Sequence, residues 1–531
     1  MVLASQPSFE PDPTAPLPAG DWLNLPPAVA SAPLAPGTYL TQAQSSAPHG
    51  GVKPLRPAKG QTPRARSIDP SQQLTRTPPA ARLVQLHAPA APPAAALAVA
   101  PAQPAVVTTF EGGADDGTSI PPDTAAAFST THAFNPLNNN IHTFALNNLH
   151  APPTVTTLNA FWGQEGCFDP KVVYDPHTDR FYFVTMSGAA SAASSLLIAA
   201  STSGDPAQPW STQAVMVDPA AQGNVWMDYP SIGFTADKIT VQVNLFTIAN
   251  NQFAGSTVYV FDKASLSSGQ QVFLQRFVLL NQGAGQAPAI THDAGFADQY
   301  LVSSWGGSIG GGPGALAVWL VTGSPANGTA AISRVGFING TQSWASFPPV
   351  GDFAPQSGVP DRVNTGDDRL LSVIFRDRVL HCSHGIGVPA GTATRTAIQW
   401  WQATVGTWIA TVSRLDDPTG TVFYAFPTMA VNQSGDILIG HAQFSANIHP
   451  SAAFLLVTLA GAQSGAVFAA GLNTYVKTFG ANRNRWGDYS ATQPDPRDGT
   501  SFWTVQEYAS AQADTWATRI AHIKPPPTGT V

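Results

Sequence analysis

Residues 484–508 read NRWGDYSATQPDPRDGTSFWTVQEY, and residues 225–246 read VWMDYPSIGFTADKITVQVNLF. Trp486, Asp488 and Tyr489 of the first stretch match Trp226, Asp228 and Tyr229 of the second. After a turn, each set is followed by Thr-Val-Gln, at 504–506 and 240–242. Such self-similarity marks a repeat architecture and has to be settled before any other reading of the fold. Strand openings of the same texture recur at Asp169, Asp228, Ala289 (in APAITHD), Asp367 (in DDRLLSVIFRDRVLHCSH), Pro427 (in FPTMAVNQSGD) and Asp488, and a shorter unit begins at Asp123 (PPDTAAAFSTTHAF).

Within one unit, residues 169–217, the pattern is DPKVVYD, a PHTD turn, RFYFVTMS, LLIAASTS, a GDPAQPW turn and STQAVMV. Short runs rich in β-branched and aromatic residues, bounded by turn residues, read as a four-strand meander, the blade of a propeller. Seven such units predict an all-β fold, a seven-bladed β-propeller, with six blades as the alternative count. The last unit, 488–524, is one strand short, while AVVTTFEGG (105–113) is an orphan strand ahead of the first. Placed as the outer strand of the last blade, it closes the ring and covers an open edge. The expected organisation is therefore an arm at 1–104, a propeller at 105–524 closed by strand 105–113, and a tail at 525–531.

The arm is different material. Its Pro/Ala-rich stretches, such as APAAPPAAALAVAPAQPA (88–105), lack periodicity and bury too little apolar surface to offset chain entropy. Lys53, Arg56, Lys59, Arg64, Arg66, Arg76 and Arg82 face a single nearby acid, Asp69. They read either as a docking stretch for an acidic surface or as a solvated linker. Two apolar clusters, Trp22 with Leu23 and Leu25, and Leu83 with Val84 and Leu86, look like anchors on a tether. The arm is expected to order only against folded surfaces, its own propeller or a protein partner or larger assembly.

Charged residues make up 11% of the 531-residue chain and the formal net charge is −7, which excludes a basic nucleic-acid footprint. No apolar run reaches the roughly 18 residues of a membrane span. The start, MVLASQPSFEPDP, lacks the basic and apolar regions of a signal peptide, so the expected extracellular or particle-associated location calls for a different true start or a leaderless export route. Cys167 and Cys382 are too few for a disulfide framework, lack metal-ligand spacing and fall in different units. Both are expected to be reduced.

PPDT (121–124), FWG ahead of Cys167 and DPKVVYD, IAASTSGDPAQPW (198–210), DYPSIG (228–233), DDRLLSVIFR (367–376) with His384, and the series from RWGDYS to WATRI (485–520) together carry a resemblance. Over about 121–523 the chain resembles a family of bacterial β-propeller proteins labelled sialidase-like or BNR-repeat-like. The resemblance implies the fold, and no settled activity comes with it. Family members often carry a second cysteine where this chain has Leu197, implying a disulfide to Cys167 that Leu197 puts in doubt here. SGDPAQPW (203–210) keeps the Ser, Asp and Trp spacing of a sialidase Asp box, with Ala207 and Pro209 replacing its Gly and Thr. That box is a turn staple, not a catalytic element.

In a propeller the start of each innermost strand lies at the mouth of the central channel. That phase gathers Asp123, Asp169, Asp228, Tyr229, Asp367, Asp368, Arg485, Asp488 and Tyr489, of which Asp123, Asp169, Asp228, Tyr229 and Asp367 are the ligand-binding candidates. Converging carboxylates suit Ca²⁺ or Mg²⁺, with Asp228 and Asp488 the named ligands; the competing reading has each Asp pinning its own turn, with no cofactor. A sialidase mechanism needs an arginine cluster, a Tyr–Glu nucleophile pair and an acid Asp. Arg369, Arg376, Arg485, Tyr489, Glu507 and Asp488 supply those types, although buried ion pairs explain Arg376 and Glu507 equally well. His381 and His384, three apart on a strand, face opposite ways and read as core. Trp226, Trp486, Trp503 and Trp516 read as inter-blade core before sugar-stacking platforms. Phosphate-loop and hydrolase motifs are absent.

The leading reading is a non-catalytic binding or scaffold propeller, carbohydrate among its ligands, displayed or assembled through its arm. The rival is a glycan-active enzyme, a sialidase-like hydrolase or a polysaccharide lyase. A mouth that is open and wet favours the enzyme; a filled one favours the scaffold.

Overall fold

The structure, a computed structural model, describes residues 21–27, 29–31 and 103–527, apart from 218–223, 270, 281, 310, 346–351, 462 and 480–482. Of the described residues, strand accounts for 55% and helix for 3%, an all-β propeller. Five blades are separate sheets. One is Ala127–Phe128, His132–Pro136, Asn140–Ala145 and Thr154–Thr157; the next is Phe168–Asp175, Arg180–Ser187, Ser195–Ser201 and Trp210–Met216. The others run over residues 287–339, 422–469 and 491–524.

The expectation of seven separate units needs a correction here. The meanders from Val225–Phe234 to Gln271–Leu279 and from Leu370–Arg376 to Ala410–Leu415 belong to one ten-stranded sheet. They are joined through Ile290–Thr291, which pairs in parallel with Phe234 on one side and with Ile374 and Phe375 on the other. Ala287–Pro288 pairs with Leu301 and Val302, Ala289 N–H still reaches Tyr300 O at 2.8 Å, and beyond it the chain leaves that blade and crosses between its neighbours. The crossing is close enough that a Cβ on Gly233 would lie 2.5 Å from the Ala289 carbonyl oxygen.

Ala105–Ala114 pairs antiparallel with Trp516–Lys524, making it the outer strand of the last blade. Gln493 ties that blade to the first: its amide oxygen accepts from Phe128 N–H at 3.1 Å and its amide nitrogen donates to Phe128 O at 2.7 Å. Phe128 also stacks on Trp503, with centroids 5.0 Å apart. From the arm, Asp21–Pro27 adds to Gln271–Leu279, and Val29–Ser31 adds to Trp210–Met216, each as a fifth, outermost strand. The basic stretch and the Leu83 cluster lie outside the described residues.

The core lies between the blades. Trp226, Trp486, Trp503 and Trp516 are all buried there, as expected. Cys167 and Cys382 are buried free thiols. The Asp-box-like turn works as a staple: Asp205 accepts from Ala207 N–H at 2.9 Å, and buried Trp210 donates to Pro206 O at 3.0 Å.

Candidate functional site

Three inner strands share a bulge, between Phe168 and Lys171, between Asp228 and Ser231, and between Ala425 and Thr428. Each contains a residue of positive φ followed by proline: Asp169 at 55°, Tyr229 at 58° and Phe426 at 52°. Asp123, at 50°, holds the same phase in the first blade. A non-glycine residue in this region costs energy and persists only where surrounding contacts enforce it, a pattern common at functional sites. The bulges turn these side chains inward.

They converge as the sequence leads one to expect. Asp169 Oδ2 accepts from the Tyr489 hydroxyl at 3.0 Å and from Tyr229 N–H at 3.2 Å. Asp228 Oδ1 accepts from the same N–H at 2.9 Å, and Asp123 Oδ1 accepts from Asp488 N–H at 3.0 Å. Arg485 pairs with Asp488 at 2.9 Å, and Arg369 grips Asp367 through two nitrogens, both at 2.6 Å. Across the mouth lies a stack: the Arg369 guanidinium is 3.6 Å from the Tyr229 centroid, Tyr229 is 4.8 Å from Tyr489, and Lys171 Nζ is 3.8 Å from the Tyr489 centroid. Alternating cations and ring faces attract through the ring quadrupole.

Two expected members are elsewhere. Asp368 turns into the neighbouring core, accepting from Ser304 Oγ at 2.9 Å and Trp344 Nε1 at 3.1 Å. Arg376 sits at the far end of Leu370–Arg376, about 20 Å from Arg369 at strand rise, so three arginines do not meet. Tyr489 binds Asp169, while both Glu507 carboxylate oxygens lack a hydrogen-bond partner, so no Tyr–Glu pair forms. Nor does Glu507 join a buried ion pair among the described residues. Burial, then repulsion from Asp123 and Asp115, raises the Glu507 carboxyl well above its ordinary range. Burial does the same to Asp123, with Asn138 donating to it at 2.6 Å and opposing the rise. For Arg369, burial alone favours the neutral form, but the Asp367 carboxylate more than offsets it and the guanidinium stays charged.

Of the candidate cation ligands, one oxygen each of Asp169, Asp228 and Asp488 accepts from an N–H or O–H group, and among the described residues no three His, Cys, Asp or Glu side chains are arranged to hold a metal ion.

The mouth formed by these residues is nearly shut. Asp123, Asp169, Asp228, Tyr229, Asp488 and Tyr489 are all buried, and the hollow beside Arg369 and Asp367 measures about 10 Å³, space for one water. The usable space lies on the other side of the stack, a cavity of about 370 Å³ running down the channel. Its walls come from the inner strands of all the meanders, including Ala126, Val172, Ile232, Pro288, Leu371, Met429 and Thr492, and it reaches exposed His177 and Gln433 at the opposite mouth. Hydroxyls stitch the inner strands together: Thr428 Oγ1 contacts Ser490 Oγ at 2.9 Å and Thr492 Oγ1 at 3.0 Å.

Sequence reasoning missed Lys171, which forms part of the cavity's closed end, and Asn138, which links Asp123 to the Asp169 backbone N–H at 2.8 Å. A signal for Lys171 was present: it is the cation following Asp-Pro in an otherwise apolar strand interior, PKVVY. Burial lowers its ammonium to about 7, with Asp123 opposing the fall.

No protein-family model matches the chain, and no curated protein matches it in sequence. Among solved structures, phage phi92 endosialidase is similar with a TM-score of 0.38 at 7% identity, covering 68% of this chain and 67% of that one. A Synechocystis apocarotenoid oxygenase gives 0.37 at 12%, covering 64% and 70%. The Bacillus licheniformis endo-arabinanase gives 0.28 at 12%, covering 56% and 96%. At these scores the propeller rests on the sheets and their register, not on the likenesses.

Proposed function

We propose that the protein is a non-catalytic binding propeller whose ligand occupies the central channel from the His177 side. The ring is taken as seven-bladed, both meanders of the ten-stranded sheet counting as blades; the support is that all seven inner strands line one cavity. The observation that carries the reading is the filled mouth: each carboxylate suited to glycan chemistry is engaged or buried behind Tyr229 and Tyr489. A hollow of about 10 Å³ does not admit a sugar ring. The cavity of about 370 Å³ has the size and mixed apolar and hydroxyl lining of a small-molecule site. In this reading the arm is the assembly element. Asp21–Pro27 and Val29–Ser31 complete blade edges by backbone pairing, a mode equally suited to a second copy or another protein.

The test measures binding and turnover side by side. Small apolar alcohols and amides are expected to raise the unfolding temperature, with sialosides, arabinan and uronate polymers left intact. Turnover of any of these that disappears in Asp488→Asn would establish the enzyme reading instead. For the arm, a chain lacking residues 1–100 is expected to elute at lower mass than the full chain under assembly conditions.

A further inference from the structure

The lysines of the propeller are treated unequally. Lys238 pairs with Asp237 at 2.8 Å, Lys263 with Asp175 at 2.7 Å, and Lys477 with Asp115. Lys171 forms no ion pair among the described residues, and its Nζ rests over the Tyr489 ring at 3.8 Å. It is half-buried, and it lines the cavity beside Ile232, Leu371 and Ser490. The Tyr489 face favours the ammonium, but burial outweighs it, so the amine is poorly placed as a permanent charge.

We propose that Lys171 is a carbonyl-capturing amine, so that the closed end of the channel binds a small apolar aldehyde and holds it as a reversible imine on Nζ. This rests on the channel being the ligand site. The alternative head group, a carboxylate, is disfavoured by what surrounds the lysine. Asp123 lies close enough to act on its charge, and Asp169 holds the hydroxyl of the ring beneath it. Arg369 and Arg485, which could neutralise an incoming anion, are committed to Asp367 and Asp488. A neutral carbonyl needs no such counter-charge.

The chemistry balances within the site. The nitrogen lone pair adds to the carbonyl carbon while a proton passes from nitrogen to oxygen, giving a carbinolamine. Loss of water then forms the C=N bond, and hydrolysis reverses it; no oxidant or reductant is consumed. Because burial brings the Lys171 ammonium to about 7, a large share is neutral at neutral pH, where an ordinary lysine is almost wholly protonated.

The experiment incubates the full chain with phenylacetaldehyde and sodium cyanoborohydride at neutral pH, then maps the reduced adduct by peptide mass spectrometry. Labelling at Lys171 is expected to run at least about tenfold faster than at exposed Lys524, because a larger share of Lys171 is neutral than of an ordinary lysine. Lys171→Met and Lys171→Arg are both expected to abolish it, the second while keeping the cation, with thermal unfolding confirming that each is folded. Labelling at equal rates on Lys524, or surviving in Lys171→Met, overturns the proposal. Phenylethanol separates the two layers of the argument. If it raises the unfolding temperature while the aldehyde is not trapped, the imine fails and the binding channel stands. If neither probe binds, the channel reading falls and takes the imine with it.

Discussion

The Tyr489 hydroxyl donates to Asp169 at 3.0 Å across 320 residues of chain, joining the inner strands of the last blade and the second. Asp169 also accepts from Tyr229 N–H, so one carboxylate fixes both rings that fill the channel mouth. The plug is a tertiary construction, assembled from three blades.

Tyr489→Phe keeps the ring and removes one hydrogen bond to a buried carboxylate. The expected loss is about 1–3 kcal/mol, read as a lowered urea midpoint with unchanged slope. An unaltered midpoint would show that the hydroxyl does not hold Asp169 in place.

Ring closure depends on the N-terminal strand. Deleting residues 1–100 is expected to leave a cooperative unfolding transition, because Ala105–Ala114 still pairs with Trp516–Lys524. Deleting residues 1–114 removes that pairing together with the Glu111 contacts to the Tyr508 hydroxyl at 2.8 Å and to Arg519 at 2.5 Å. The longer deletion should broaden the transition and promote aggregation through the exposed edge, as calorimetry and light scattering would report.

Stability should fall on both sides of a maximum in pH. Burial lowers His384 from 6.5 to about 4, with Trp401 Nε1 donating to its Nε2 at 3.1 Å, so the folded ring stays neutral. The unfolded histidine takes up a proton as pH drops below 6.5, so stability present above 6.5 is lost towards 4; His142, His381 and His441 act in the same direction. Glu507 has the opposite sign. Its raised folded value means that stability is greatest in acid and declines as pH rises past the ordinary 4.5, where the unfolded carboxyl ionises. Glu507→Gln is therefore expected to be more stable than the parent at neutral pH, and His384→Gln to have a shallower acid limb. Chemical denaturation across pH checks both slopes.

Both thiols should be inert in the folded protein. Burial pushes the Cys167 thiol up to about 12, and Cys382 is raised by burial as well. A disulfide-exchange reagent is expected to find no reactive thiol in the native chain and two after denaturation without reductant.

Much of this architecture was legible in local pattern. The matched Trp-Asp-Tyr sets, the turn-bounded strands and the orphan stretch at 105–113 all follow from period, turn chemistry and strand count, which are properties of neighbouring residues. The candidate ring was legible for the same reason, since repeat phase places Asp123, Asp169, Asp228 and Asp488 at one end of the inner strands. What that ring does was not legible. Whether the mouth is open depends on Tyr229 and Tyr489 meeting at 4.8 Å and on Arg369 and Lys171 capping them, contacts between strands far apart in sequence. The fusion of two blades through Ile290–Thr291 likewise arises where three inner strands crowd together. Local pattern reports the face that each strand presents. Only packing in three dimensions decides which faces fill one another's space, and so which mouth of the channel is left open and which ring Lys171 comes to rest on.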